Sequence, residues 1–134
     1  MSLFSKNVLL FLTFMLLSAS NVLGKVHVSV TNDLHGKAEL ALHCKSKNDD
    51  LGVQLLKYGE TFSWKFNKNF FGGTQFYCSF LWIKNAPLLW FDIYVQTRDD
   101  TECGDQCVWF VTESGPCRFI GQTVNYTCYR WNGN

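Results

Sequence analysis

The stretch Ala38-Glu39-Leu40-Ala41-Leu42-His43-Cys44 sets Ala38, Leu40, Leu42 and Cys44 on one face against Glu39 and His43. It then runs into the charged segment Lys45-Ser46-Lys47-Asn48-Asp49-Asp50 before Leu51-Gly52. A period of two is the signature of a half-buried β-strand, and a polar, charged break after it reads as a turn. The same period holds on either side. Upstream, Val26, Val28 and Val30 alternate with His27, Ser29 and Thr31. Downstream come a short apolar run over residues 51–56, a turn at Tyr58-Gly59-Glu60, and then Phe62, Trp64 and Phe66 against Thr61, Ser63 and Lys65.

The pattern continues to the end of the chain. Phe76, Cys78, Phe80 and Trp82 share a face, Lys84-Asn85-Ala86-Pro87 is a turn, and Phe91, Ile93 and Val95 alternate with Asp92, Tyr94 and Gln96. Cys107, Trp109 and Val111 follow, Gly115-Pro116 marks another turn, and residues 124–131 read as a last strand. No segment past the first two dozen residues has helical spacing with caps. About eight short strands separated by polar turns predict an all-β fold, a small disulfide-stabilised antiparallel β-sandwich. Rings carry much of its core, since all 5 Trp and all 5 Tyr lie beyond residue 24.

Residues 1–24 read as a secretory signal peptide. Lys6 supplies the positive n-region, residues 8–17 form an apolar run interrupted by Thr13, and Val22-Leu23-Gly24 offers a cleavage site. That run is shorter than the roughly 20 apolar residues of a bilayer span, so no membrane insertion is expected. Residues 25–134 then form one domain. The 12 Lys+Arg of the chain include Lys6, so this domain carries 11 against 11 Asp+Glu, a formal charge of zero. Bulk electrostatic binding of nucleic acid or anionic membrane is not expected of a neutral domain.

All 6 cysteines (Cys44, Cys78, Cys103, Cys107, Cys117 and Cys128) follow the leader. An even number in an oxidising compartment reads as up to three disulfides, and spacing alone leaves the pairing open. A zinc site at Cys103 and Cys107 lacks a second paired motif. No metal or cofactor is expected, and no catalytic residues: His27, His35 and His43 accompany no nucleophile elbow, no His-Glu-x-x-His and no phosphate loop. In the run from Lys65 to Phe71, which mixes bases and rings, the rings read as core or turn anchors.

Two features bear on recognition. Asn125-Tyr126-Thr127 is an N-glycosylation acceptor, which predicts Asn125 at the surface. Residues 96–106 form the most acidic stretch, read as a loop pinned by Cys103 and Cys107 and therefore pre-ordered for binding. Its Arg98, Asp99, Asp100, Glu102 and Asp105, with Lys47, Asp49 and Asp50 of the earlier turn, are the candidate partner contacts.

Taken together, several blocks resemble the plant self-incompatibility S1 family. They are Val28-Ser29-Val30-Thr31-Asn32-Asp33-Leu34, His43-Cys44 with the turn to Gly52, Trp64-Lys65-Phe66, Asn69-Phe70-Phe71 through Phe76-Tyr77-Cys78, Phe91-Asp92-Ile93-Tyr94, Cys107-Val108-Trp109 and Gly115-Pro116-Cys117. The resemblance implies a secreted, non-catalytic β-sandwich. The family's founding members are female determinants of self-incompatibility that act through a pollen-side receptor, and most relatives have no assigned role. It further implies that Cys44, Cys78, Cys107 and Cys117 are the family's usual four cysteines, forming two bridges, with Cys103 and Cys128 as extras that would bridge the acidic loop to the last strand. The expected function is a ligand for a plant membrane receptor, with the oligomeric state left open. The alternative is a glycan-binding or defence-related sandwich stacking sugars on Trp90 and Tyr94.

Overall fold

The computed structural model describes Leu10 and residues 25–132 of the chain; the expected signal peptide otherwise lies outside the described residues. Within residues 25–132, nine strands and one helix follow in order: β1 (Lys25–Asn32), β2 (Leu40–Lys45), β3 (Asp50–Leu56), β4 (Thr61–Asn67), β5 (Gln75–Leu81), β6 (Leu89–Val95), α1 (Gln96–Glu102), β7 (Gln106–Thr112), β8 (Gly115–Phe119) and β9 (Tyr126–Cys128). They build a five-stranded sheet, β4-β1-β7-β8-β9, and a four-stranded sheet, β3-β2-β5-β6. Neighbours are antiparallel except β1 and β7, which run parallel.

The alternation read from the sequence becomes the interior. Val26, Val28 and Val30 of β1, Leu40, Leu42 and Cys44 of β2, and Phe76, Cys78 and Phe80 of β5 are all buried. Rings then join the two sheets: Phe66 of β4 lies 4.7 Å from Phe76 and 4.9 Å from Tyr94 of β6, while Phe91 of β6 lies 5.3 Å from Trp109 of β7. Asn32 closes one end as a buried polar knot. Its Nδ2 donates to the carbonyls of Ala38 and Leu56 (both 2.9 Å), and its Oδ1 accepts from the Leu34 N–H (3.0 Å), so the buried amide is well satisfied.

Three expectations are corrected. The ninth strand is β8, which opens on Gly115-Pro116, a pair expected as a turn. A side chain on Gly115 would place its Cβ 2.0 Å from the Tyr129 carbonyl oxygen, so glycine is required by close backbone approach, not by a reversal of the chain. Residues 96–102, expected as loop, form α1. Its buried face is polar, with Asp99 fully buried, so it shows no apolar stripe by which a helix could be read. Tyr94, expected on the outer face, is fully buried. The β5–β6 register shifts between Phe76 and Cys78, placing one extra residue on β6 and reversing the in–out phase beyond Ile93.

The bridges are Cys44–Cys78, Cys103–Cys107 and Cys117–Cys128. The expected Cys103–Cys128 bridge is therefore not formed. Of the two bridges expected within Cys44, Cys78, Cys107 and Cys117 only Cys44–Cys78 is, since Cys107 and Cys117 each pair with one of the two extra cysteines. Cys117 stands directly opposite Cys128 in the β8–β9 register, which makes that pairing the short path, and Cys103 closes the turn from α1 into β7 with Cys107. Cys44 and Cys78 are likewise register partners. No bridge joins one sheet to the other.

Candidate recognition surface

The acidic stretch turns inward. The Asp99 carboxylate accepts hydrogen bonds from Arg98 Nε (2.8 Å) and Nη2 (2.7 Å) and from the Val95 N–H (2.8 Å), and it pairs with Arg118 of β8. Arg118, fully buried, also pairs with Glu102, which accepts a bond from the Tyr129 hydroxyl at 3.2 Å. Both guanidiniums lie over rings: Arg98 at 5.3 Å from Phe91 and Tyr129, Arg118 at 5.2 Å from Trp109. Burial of Glu102 alone would raise its pKa, but its bond and charge contact with Arg118 together hold it below its ordinary value. A buried charge is tolerated only when paired, and here two cations meet two carboxylates against aromatic faces. Asp99 is thus unavailable to any partner, and Arg98 and Glu102 are committed to the same network. Asp99 is corrected from a contact residue to one that holds α1 against the sandwich, while Arg98 and Glu102 share that network and stay partly exposed.

Of the outward candidates, Asp100, Lys47 and Asp49 gather around loop 68–74. Asp100 is exposed and pairs with Lys68 at 2.5 Å. Gln96 binds the same loop three times. Its N–H donates to the Thr74 carbonyl (3.0 Å), its Oε1 accepts from the Thr74 N–H (3.1 Å), and its Nε2 donates to the Asn69 carbonyl (3.3 Å). Inside the loop the Asn69 N–H donates to Thr74 Oγ1 at 2.7 Å. The base of loop 68–74 is therefore fixed to α1, and its tip presents Phe70 and Phe71, 93% and 96% exposed and packed edge to face at 5.2 Å. Gly72 and Gly73 follow with φ of 86° and 83°, a left-handed pair that reverses the chain just past the rings. Two adjacent exposed phenyl groups are the largest departure from an ordinary polar loop tip.

Between this loop and the 46–49 turn lies an open cleft of about 490 Å³, lined by Lys47 and Asp49 among others. The turn is self-braced: the Ser46 N–H donates to the Asp49 carbonyl (2.8 Å), and the Asp49 N–H to Ser46 Oγ (3.0 Å). Asp50 sits just beyond, accepting from His43 Nε2 at 2.7 Å and from the Gly52 N–H at 2.9 Å, and these bonds hold its pKa below the ordinary value. Asp105 is exposed in the turn before β7, and its carbonyl accepts from the His27 N–H. Asn125 is exposed at the base of the β8–β9 turn. Trp90 is 43% exposed on the outer face of β6, whereas burial and the charges of Asp100 and Asp99 push the Tyr94 hydroxyl up to about 12. Among the described residues no helix is long and apolar enough to cross a membrane, and no cluster of three or more His, Cys, Asp or Glu could hold a metal ion.

A sequence model described as "Plant self-incompatibility protein S1" matches residues 27–131, nearly the whole of the sandwich. The chain belongs to that family. Among curated S1-family relatives, S-protein homolog 2 of Arabidopsis thaliana is 44% identical over 110 residues, covering 78% of this chain and 67% of the relative. S-protein homolog 19 of the same plant is 43% identical over 107 residues, covering 80% and 76%. A solved structure from the SPH (Self-Incompatibility Protein Homologue) proteins, described as "a widespread family of small, highly stable, secreted proteins from plants", superposes with a TM-score of 0.61. The superposition covers 81% of this chain and 95% of that one at 20% identity, a likeness of fold.

In this S1-family chain, sequence reasoning missed Phe70 and Phe71 as surface residues and Arg118 as the buried partner of the acidic stretch. The first had a usable signal. Adjacent residues in a strand face opposite sides, so Phe70 and Phe71 cannot both be core, and Gly72-Gly73 after them marks a reversal. The second had none, because Arg118 and Asp99 meet only through the pairing of β7 with β8.

Proposed function

We propose that this S1-family protein is a secreted, non-enzymatic recognition ligand that docks on a plant cell-surface receptor through the end of the sandwich bearing loop 68–74. The observation that carries this reading is the Phe70-Phe71 tip, exposed at 93% and 96% on a loop whose base is fixed to α1. Aromatic anchors that fill a partner's pocket dominate binding energies, and a braced loop gives up little conformational freedom on docking. Exposed Asp100, Asp49 and Lys47 flank the tip and supply the polar rim, and Asp105 lies outside it. Secretion, suggested by the leader, agrees with three disulfides and with the description of the structural relative. A glycan on Asn125 fits its exposed position, and a mass shift on amidase treatment of plant-expressed protein tests it.

The decisive experiment measures binding of labelled, oxidised protein to plant plasma-membrane vesicles. Saturable binding, competed by unlabelled protein and lost on protease treatment of the vesicles, is expected. The doubly substituted Phe70→Ser/Phe71→Ser protein should bind at least about tenfold more weakly, since an anchor residue contributes roughly 2 kcal/mol or more. Equal binding by the two proteins removes the tip as the docking site, and protease-resistant binding removes the protein receptor.

A further inference from the structure

We propose that the cleft beside loop 68–74 is a binding site for a neutral glycan chain, with Tyr77 and Trp90 as its stacking platform. This goes beyond the receptor reading and does not depend on the Phe70-Phe71 tip.

The cleft wall is rich in groups that both donate and accept. Four carboxamides, Asn48, Asn67, Asn69 and Gln75, line it with the hydroxyls of Ser46 and Thr74. A carboxamide offers two donors and an acceptor, which matches sugar hydroxyls that do the same. Ser46 Oγ and Thr74 Oγ1 each accept a local backbone bond, so their own protons are left to donate outward. Lys47 and Asp49 are the charged residues of the lining and are opposite in sign, so the site selects neither anions nor cations. At about 490 Å³ its size falls in the range of small-ligand sites, roughly 300–1,000 Å³.

The aromatic part adjoins this wall. Tyr77 lines the cleft and reaches Trp90 on the next strand, with ring centroids 6.3 Å apart and planes at 40°. Tyr77 is 37% and Trp90 43% exposed, and both stand on the outer face of the four-stranded sheet. A pyranose presents an apolar C–H face and an equatorial rim of hydroxyls, and the surface offers rings for the one beside amides for the other. An extended peptide fits less well. The backbone of β5, which forms the cleft's aromatic side, is already paired on both sides by β2 and β6 and offers a peptide no main-chain pairing there.

The test is intrinsic tryptophan fluorescence and calorimetric titration of the oxidised protein. The neutral probes are cellohexaose, mannohexaose and xylohexaose; hexagalacturonate and a neutral asparagine-rich peptide are the comparators. Saturable binding of at least one neutral hexasaccharide with a shift in tryptophan emission is expected. Trp90→Ala and Tyr77→Ala should each weaken it by about tenfold, as loss of a stacking ring does elsewhere. Trp90→Phe, which keeps a ring, should retain most of the affinity, and thermal melts verify that each variant is folded. Phe70→Ser/Phe71→Ser should bind the glycan unchanged, which separates this site from the receptor contact. Absence of saturable binding to all three neutral probes, preference for hexagalacturonate or the peptide, or indifference to both ring removals overturns the proposal.

Discussion

Arg118 neutralises Asp99 in the interior and reaches Glu102 at its margin, so truncating it strands charge where water cannot reach. Arg118→Met should cost about 3 kcal/mol or more in stability, read from urea denaturation, because a broken buried pair leaves an uncompensated ion. A change below about 1 kcal/mol would mean that Arg98 alone suffices for Asp99. Exposed carboxylates set the acid limit instead. Glu113 accepts backbone bonds from the Gly36 and His35 N–H groups (both 2.9 Å), and these hold its pKa below the ordinary value, as His43 and the Gly52 N–H do for Asp50. A folded pKa below the unfolded one means that the stabilisation is complete above the unfolded value, near about 4, and is lost as pH falls through the folded value. The thermal midpoint should therefore hold steady down to about pH 5 and decline below about pH 4, with a shallower decline in Glu113→Gln. An identical acid decline in that variant would remove Glu113 from the explanation.

At the level of elements, the two disulfides that lock strand pairs enclose longer stretches than the third. Cys44–Cys78 spans 34 residues, Cys117–Cys128 spans 11, and Cys103–Cys107 spans 4. Loop-closure entropy then ranks their removal at about 4, 3 and 2 kcal/mol. Pairwise Cys→Ala variants compared by denaturant midpoint should keep that order, and a reversed order would point to strain or denatured-state structure. The strands themselves were readable because each buries one face: Val26, Val28 and Val30 or Phe76, Cys78 and Phe80 follow a strict period. Where local pattern and tertiary demand diverge, reading failed. Helix α1 turns a polar face inward, β8 opens on Gly-Pro, and the bulge in β6 inverts Tyr94. Of the candidate site, the 46–49 turn was legible as a charged break in alternation. Its meeting with loop 68–74 was not, since that depends on how β2 and β4 are placed by different sheets.

At the scale of the whole molecule, two sheets are held together by a ring-filled seam and by polar stitches at its margins. Trp131, beyond β9, packs 4.9 Å from Phe80 and 5.9 Å from Trp82, and the Asn132 N–H donates to the Trp90 carbonyl at 2.8 Å, drawing the chain's end across to the four-stranded sheet. The covalent links lie elsewhere. Since Cys44 faces Cys78 and Cys117 faces Cys128 within their own sheets, heat or denaturant can part the layers while leaving both pairings correctly aligned. The melted, oxidised chain thus keeps a written memory of two strand alignments, and the search left to it on cooling is chiefly for how one layer sits on the other. Boiled and cooled samples should recover their near-ultraviolet circular dichroism when oxidised and fail to when reduced, so the protein would shed its shape and regain it without help.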